Sequence, residues 1–333
     1  MATHKSVLIL GAGLIGRHVI DLLLASGLSV TAYVRHTELA ATLEALGAST
    51  VLGTLEDHDS ITAQVAQHNV TINTTSSDDI SSVQAILSGI RQRISQGLHS
   101  TFIHTSGTGV LVDDAKGRYK SDMVYRDDDP KDIDALPPTA MHRDVDLAIV
   151  HAAHEFGEKA RIAIIIPPVI YGFNPAHNRL SMAFPRLVRF ALKHGYSGHV
   201  GEGLNVWGAV HVADLAQAYL TLISGLEALE PSALVANPYF FVDNGHEISW
   251  REVAEHVGRI LYKMGKISSP DVRTFDPAGY ADLFGPMTEK AAGGNARAYG
   301  VRLRKMGWEA NAKGVWESLE EDEIPYIIAM RDG

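Results

Sequence analysis

The stretch that decides the fold is SVLILGAGLIG, residues 6–16. Its first five residues form an apolar run of strand length, and residues 17–26 follow a helical pattern. The glycines between them suit a phosphate-binding turn, because Gly11 permits a tight turn and Gly13 lets a pyrophosphate approach the backbone. Gly16 lets the helix pack closely against the strand, and the helix N-terminus attracts anions. The order of strand, glycine turn and helix therefore predicts a dinucleotide-binding βαβ unit.

The second strand of that unit, residues 28–34, ends immediately before Arg35. An acidic residue at this position would accept hydrogen bonds from the adenosine ribose of NAD, whereas an arginine can pair with the 2′-phosphate of NADP. Arg35 therefore favours NADP(H) over NAD(H).

Strand and helix patterns go on alternating after the first unit, and this alternation predicts an α/β fold with a Rossmann-type, doubly wound parallel sheet. Helical patterns cover residues 38–46, 59–68 and 80–96, and strand patterns cover residues 50–52, 70–73 and 100–105. Ligands of such sheets bind at the carboxyl ends of the strands. We therefore expect Thr54, Leu55, Thr74, Thr75 and Thr105 to line the crevice.

Composition limits the classes of function. The chain has 333 residues, 46% hydrophobic and 20% charged, with a net charge of −10 and no cysteine. An acidic surface does not attract nucleic acid or anionic membranes, and the absence of cysteine excludes disulfides and thiolate zinc sites. No apolar stretch reaches the roughly 18 residues of a membrane span. We expect a cytoplasmic protein with a small-molecule substrate, no nucleic-acid or membrane partner and no metal.

Several ordered motifs together resemble the extended or atypical short-chain dehydrogenase/reductases, the NAD(P)-binding epimerase, dehydratase and reductase group. GAGLIG is similar to the dinucleotide loop, GTLED (53–57) to the adenine-side stretch, and FIHTSGTGV (102–110) to the strand that bears the catalytic serine or threonine. IIIPPVIYG (164–172) is similar to the segment beside the nicotinamide, and WGAVHVADLA (207–216) to a later stretch that re-enters the nucleotide domain.

This resemblance implies two parts and a set of cofactor residues. The NADP-binding domain should comprise residues 1–172, 205–225 and 238–245, and a smaller, discontinuous substrate-binding region should comprise 173–204, 226–237 and 246–333. It also implies a homodimer. The residues expected at the cofactor are Gly11, Gly13, Leu14, Ile15, Gly16, Arg35, Thr54, Leu55, Thr74, Thr75, Thr105, His142, Pro167 and Val169.

The helix on which these enzymes carry Tyr-x-x-x-Lys is the one predicted around TAMHRDVDLAIVHAA, residues 139–153, and it contains neither tyrosine nor lysine. His142 and Asp146 stand one turn apart there, so the two side chains should touch. Two registers are open. In one, His142 replaces the tyrosine as proton donor, with its pKa raised by Asp146. In the other, His142 replaces the lysine and binds the nicotinamide ribose. A solvated ion pair without a catalytic role is a third interpretation.

The hydroxyl position of the preceding strand is also altered, because the resemblance places Gly107 there between Ser106 and Thr108. We expect one of these hydroxyls, preferably that of Thr108, to polarise a carbonyl. The predicted catalytic set is thus His142, Thr108, Ser106 and Asp146, and the predicted substrate set is Tyr171, His177, Asn178, Arg179 and Trp207.

An acidic run, Asp127 to Asp129, precedes Pro130 and predicts an exposed loop. Proline disfavours the helix on which aspartates of a metal-binding cluster would lie.

Three functions fit the sequence. The first is an NADP(H)-dependent oxidoreductase that transfers hydride to or from a small carbonyl or alcohol. The second is an isomerase, epimerase or dehydratase without net redox change, which retains the cofactor. The third is a catalytically silent regulator that senses NADP.

Overall fold

A computed structural model describes residues 5–332 of the protein, with side chains described to residue 330. Its first part alternates strand and helix as the sequence predicts, but the first helix begins at Leu14, three residues before the expected Arg17. The elements of this part are β1 (Ser6–Leu10), α1 (Leu14–Ala25), β2 (Ser29–Val34), α2 (Thr37–Ala45), β3 (Ser49–Leu52), α3 (His58–Gln67), β4 (Val70–Asn73), α4 (Ile80–Ser95) and β5 (Ser100–Thr105).

The rest of the chain has shorter strands and less regular connections. No helix within the described residues is long and apolar enough to cross a bilayer. The elements are β6 (Tyr125–Arg126), α5 (Lys131–Asp134), α6 (Arg143–Phe156), β7 (Ala160–Ile166), β8 (Val169–Tyr171), α7 (Ala183–His194), β9 (Ser197–His199), β10 (Val206–His211), α8 (Val212–Gly225), α9 (Pro231–Ala236), β11 (Tyr239–Phe241), β12 (Glu247–Ser249), α10 (Trp250–Lys263), β13 (Val272–Thr274), α11 (Thr288–Ala291), β14 (Ala298–Tyr299), α12 (Arg302–Lys305), α13 (Val315–Ser318) and α14 (Ile324–Asp332).

The main sheet has seven strands in the order β11-β7-β5-β4-β1-β2-β3. Every neighbouring pair is parallel, which confirms the predicted Rossmann-type architecture. The last residue of β1, Leu10, lies opposite Asn73 of β4, and Asn73 lies opposite His104 of β5. The segments that follow these three strands therefore emerge side by side at one edge of the sheet.

Both faces of the sheet are covered, which is why its strands are continuously apolar. In β1, Val7 and Ile9 join a core that includes residues of α1 and α8, whereas Leu8 and Leu10 join a core that includes residues of α3, α4 and α6. All four side chains are fully buried. The two helical layers hold the sheet between them and leave its carboxyl edge open for ligands.

The segments expected to return to the nucleotide domain take different places. β11 pairs with β7 in the main sheet, and α8 packs beside α1. In contrast, β10 belongs to a small sheet, parallel to β8 and antiparallel to β12. Two further pairs, β9 with β13 and β6 with β14, are also parallel. The division into a cofactor domain and a substrate region stays a prediction.

The expectation of an exposed acidic run is wrong for Asp127, which is fully buried. Its carboxylate accepts hydrogen bonds from the backbone N–H groups of Phe241, Val301 and Arg302. A carboxylate that accepts several backbone N–H groups can be buried because its charge is compensated. Asp127 thus ties the segment after β6 to β11 and to the start of α12.

We predict that Asp127→Ala lowers the free energy of unfolding by about 3 kcal/mol or more, because it leaves buried N–H groups without an acceptor. Asp128→Ala is the matched control, since Asp128 pairs with Arg126 at the surface and such pairs contribute about 0 to 1 kcal/mol. Urea unfolding of both variants measures the difference. Equal losses in the two variants would contradict this role for Asp127.

Candidate functional site

The glycine turn has the geometry of a phosphate-binding loop. Gly11 has φ +88°, and a Cβ at Gly16 would lie 2.0 Å from the Gly11 carbonyl oxygen, so neither position accepts a side chain without strain. A Cβ at Gly13 would meet nothing within 4 Å. No side chain caps α1, which leaves N–H groups of its first turn for a ligand. The open space at Gly13 and these N–H groups fit the pyrophosphate of a dinucleotide.

A cavity of about 680 Å³ begins at this turn. Of the residues predicted at the cofactor, six line it, namely Gly13, Leu14, Ile15, Thr74, Thr75 and Val169. Thr74 also fixes the turn, because its hydroxyl donates to the carbonyl oxygen of Gly11 at 2.9 Å. The far part of the cavity is formed by Arg186, Arg189, Trp207, Trp250 and Phe284.

The predicted adenosine side lies at the ends of β2 and β3. Arg35 is exposed directly after β2, and it forms no hydrogen bond or ion pair with the rest of the described chain. The Tyr33 hydroxyl donates to the Thr54 carbonyl oxygen at 3.3 Å and lies where a side chain at Gly53 would be. Leu55 packs against the core, and the Thr54 hydroxyl donates to Asp57. The free guanidinium of Arg35 is accessible to a phosphate.

Two residues predicted at the cofactor have other contacts. The Thr105 hydroxyl is buried, donates to the Asn73 carbonyl oxygen at 2.6 Å and lies 2.6 Å from the hydroxyl of Tyr219. The carbonyl oxygen of Pro167 accepts the Thr108 N–H at 3.0 Å, while the neighbouring Pro168 lines the cavity. Thr105 therefore links the end of β5 to β4 and α8, and Pro167 links the segment after β7 to the segment after β5.

His142 lies immediately before α6, with a left-handed backbone of φ +65°. Its Nδ1 atom is 2.6 Å from Asp78 Oδ1 and 2.9 Å from Ser77 Oγ, both in the segment after β4. Its Nε2 atom is directed to the segment after β5, because a Cβ at Gly109 would lie 3.0 Å from it and one at Gly107 3.6 Å. The missing side chain at Gly107 thus leaves room beside the imidazole.

The expected contact between His142 and Asp146 is wrong. Asp146 Oδ2 accepts a hydrogen bond of 2.9 Å from the Ser106 hydroxyl, while His142 pairs with Asp78. The two side chains separate because α6 begins at Arg143, so His142 is outside the helix and the one-turn spacing rule does not apply to it. His142 and Asp146 therefore belong to two different pairs.

The hydrogen-bonded pair of Ser106 and Asp146 is buried, and one oxygen of Asp146 has no hydrogen-bond partner within the described chain. Burial raises the pKa of Asp146 to about 7, although the hydrogen bond from Ser106 lowers it. Asp146 Oδ1 and Thr108 Oγ1 are buried and have no hydrogen-bond partner among the described residues. The Thr108 hydroxyl, predicted to polarise a carbonyl, thus has no hydrogen-bond partner in the part of the chain that the structure describes, and Thr108 is only 1% exposed to solvent.

The five predicted substrate residues do not gather at one place. Trp207 lines the cavity. The Tyr171 hydroxyl donates to the Lys313 carbonyl oxygen at 2.8 Å, and His177 Nε2 is 2.6 Å from Asp21 Oδ2 on α1. Asn178 contacts the Tyr326 hydroxyl, and Arg179 is exposed. Tyr171, His177 and Asn178 thus attach the end of β8 and the loop after it to α1 and to the C-terminal part of the chain. Arg179 faces solvent.

Sequence reasoning missed Asp78 and the far wall of the cavity. Asp78 follows β4 by five residues, so the rule that ligand groups collect at strand ends would have included it. Arg186 and Arg189 are three residues apart on α7, which places them on one helix face. No pattern in the sequence indicates that Trp250 and Phe284 meet this face. Within the described chain, no group of three or more acidic or histidine side chains is arranged to hold a metal ion.

Fold and site together define an α/β protein with a cleft at the carboxyl edge of a Rossmann-type sheet, and its glycine turn fits the pyrophosphate of a dinucleotide. The NAD(P)H-binding family model matches residues 11–127. UDP-glucose 4-epimerase from Thermotoga maritima, solved with UDP-glucose, has a TM-score of 0.67 at 15% identity, with 98% of this chain and 99% of that chain covered. UDP-glucuronic acid 4-epimerase from Bacillus cereus, solved with its substrate and NAD, has a TM-score of 0.66 at 16% identity over 98% and 99%.

The chain is also similar in sequence to curated proteins along most of its length. An oxidase from Acremonium sp. is 28% identical over 95% of this chain and 96% of its own. A ketoreductase of a farnesylated quinoline oxide from Stigmatella aurantiaca is 45% identical, over 15% of each chain. Residues 11–127 thus match an NAD(P)H-binding family model, and the chain has the fold of these epimerases and of a dTDP-glucose 4,6-dehydratase.

The buried acid of this site has a measurable consequence. The pKa of Asp146 is about 7 in the folded protein, whereas an unfolded aspartate has a pKa of about 3.9. Between these two pH values the folded state binds the proton and the unfolded state does not. The contribution of Asp146 to the free energy of unfolding therefore falls as pH rises through this range. Asp146→Asn keeps an acceptor for Ser106 but does not titrate. We predict that the free energy of unfolding of Asp146→Asn minus that of wild type is about 2 kcal/mol larger at pH 8 than at pH 5.

Urea unfolding at the two pH values measures this difference. Asp144→Asn is the matched control, because Asp144 is an exposed aspartate on the same helix and should show no such change. A difference between wild type and Asp146→Asn that is the same at both pH values would exclude the raised pKa.

Proposed function

We propose that the protein is an NADP(H)-dependent oxidoreductase that interconverts a small carbonyl compound and its alcohol, with His142 as the proton carrier. The observation that carries the proposal is the contact of 2.6 Å between His142 Nδ1 and Asp78 Oδ1, in the segment that follows β4. A carboxylate on one imidazole nitrogen orients the ring and stabilises its protonated form, which leaves the other nitrogen free to exchange a proton.

The chain's residues divide the work of such a reaction. The glycine turn and the first turn of α1 would hold a nicotinamide cofactor, which would supply or accept the hydride when bound. In the reducing direction, His142 Nε2 gives its proton to the carbonyl oxygen, while the contact of Nδ1 with Asp78 holds the ring in place. The His142 side chain is 14% exposed, so solvent restores the proton. Oxidation of the alcohol runs through the same steps in reverse.

The names of two relatives support redox chemistry, since one is an oxidase and the other a ketoreductase. The structural neighbours favour a second candidate, an epimerase or dehydratase without net redox change, because they carry out such reactions with bound NAD in the same fold. Consumption of NADPH with a carbonyl substrate distinguishes the two, because an epimerase returns its hydride. A regulator that senses NADP would bind the cofactor and turn over neither kind of substrate.

We predict that His142→Gln lowers the rate of carbonyl reduction by about 10²- to 10⁴-fold, because it removes the proton donor, and leaves NADPH affinity within about threefold. Steady-state consumption of NADPH and a fluorescence titration measure the two quantities. His151→Gln is the matched control, since His151 is exposed on α6, the helix that follows His142. A rate in His142→Gln close to that of wild type would reject His142 as the proton carrier.

The preference for NADP(H) depends on Arg35. Its exposed guanidinium, free of any carboxylate in the described structure, follows β2 at the position expected to meet the adenosine 2′-phosphate. We predict that Arg35→Ala weakens NADPH binding by about tenfold or more and changes NADH binding little, because charged hydrogen bonds contribute about 1.5 to 3 kcal/mol. Parallel titrations with NADPH and NADH provide the measurement. Equal losses for both cofactors would remove the argument for NADP(H).

A further inference from the structure

The far part of the cavity is lined by aromatic rings in edge contact. The centroids of Trp207 and Trp250 are 6.5 Å apart, and those of Trp250 and Phe284 are 6.4 Å apart, each pair at 81°. The Arg186 guanidinium carbon lies 5.1 Å from the centroid of the Phe284 ring. The three rings and Arg186 therefore form one continuous wall with a positive charge at its end.

The two arginines of this wall have no acidic partner among the described residues. Arg186 donates to the carbonyl oxygen of Leu283 at 3.0 Å, and Arg189, one turn further along α7, forms no hydrogen bond or ion pair. No aspartate or glutamate is among the residues that line the cavity. Other arginines of this acidic chain, such as Arg91, Arg297 and Arg304, each contact a carboxylate. The cavity thus has a local positive charge that the described residues do not neutralise.

The neutral polar side chains of the cavity are mostly engaged. The Thr74 and Thr75 hydroxyls donate to neighbouring oxygens, that of Ser181 donates to Glu323, and Trp207 Nε1 donates to the carbonyl oxygen of Gly294 at 2.7 Å. Trp250 differs, because its Nε1 is buried and has no acceptor in the described structure while its ring lines the cavity. A ligand with many hydroxyls would find few free partners, whereas an anion with an apolar body would find two guanidinium groups beside the aromatic rings.

We propose that this part of the cavity binds a small aromatic molecule with an anionic group, with Arg186 and Arg189 at the anion and the rings of Trp250 and Phe284 against the apolar body. As a statement about the substrate, this rests on the proposed oxidoreductase function, and an aromatic oxo acid is then the substrate class. The bidentate geometry of arginine suits a carboxylate or a phosphate, and an aromatic wall contributes stacking and buried area.

Tryptophan fluorescence of the full-length protein, with and without saturating NADP⁺, tests this with four probes. They are benzoylformate, its methyl ester, phenyl phosphate and UDP-glucose. We expect benzoylformate to bind about tenfold or more tightly than its ester, since the ester lacks the charge that the arginines recognise. If phenyl phosphate binds more tightly than benzoylformate, the anion that the site recognises is a phosphate. Equal affinity of acid and ester, or tightest binding of UDP-glucose, overturns the proposal.

Variants assign the effect to the named residues. Arg186→Gln and Arg189→Gln should each weaken benzoylformate about tenfold and leave the ester and NADPH unchanged, and Trp250→Phe should cause a smaller loss. Arg273→Gln is the matched control, because Arg273 is exposed and lies outside the cavity. Unchanged NADPH affinity shows that the variants are folded. Benzoylformate affinity that survives both substitutions rejects the site, whereas tight binding without NADPH consumption rejects only the oxidoreductase function.

Discussion

The close approach of α1 to the ends of β1 and β4 is the constraint on which the site depends. A Cβ at Gly16 would lie 2.0 Å from the Gly11 carbonyl oxygen and 2.5 Å from Thr74 Oγ1, so the helix reaches this position only because residue 16 has no side chain. The Thr74 hydroxyl then donates a hydrogen bond to the Gly11 carbonyl oxygen, and the first turn of α1 lines the cavity. The position of α1 against the glycine turn, and with it the opening of the cavity at Gly13, depends on this contact.

The sequence predicts this part of the molecule well because its signals are local. An apolar run, a glycine turn and a helical pattern within residues 6–26 are enough to specify strand, turn and helix, and the same alternation specifies the parallel sheet. The sequence pattern predicts the helix start three residues too late, since Leu14 to Gly16 include no polar capping residue that would mark a boundary. Nothing comparable marks β10, whose pairing with β8 and β12 depends on contacts distant in sequence.

The catalytic region was predicted less well for the same reason. A spacing of four residues predicts contact only when both residues are helical, and His142 is not. Its partner Asp78 is 64 residues away, and the pair forms because β4 and β5 are neighbours in the sheet. Asp127 was likewise predicted to be exposed from its acidic neighbours, whereas its partners lie 114 residues and more along the chain. Such pairs follow from the topology of the fold.

The backbone at His142 links these observations. A non-glycine residue with φ +65° costs conformational free energy, and it persists only when its surroundings hold it. Here the surroundings are Asp78 and Ser77 on one nitrogen and the side-chain-free Gly107 and Gly109 beside the other. A helical His142 would lie on α6 beside Asp146, as first expected, and would lose the segment after β4. The left-handed turn therefore directs the imidazole away from Asp146 and toward the segments that follow β4 and β5, where Asp78 orients it for the proton transfer proposed for the site.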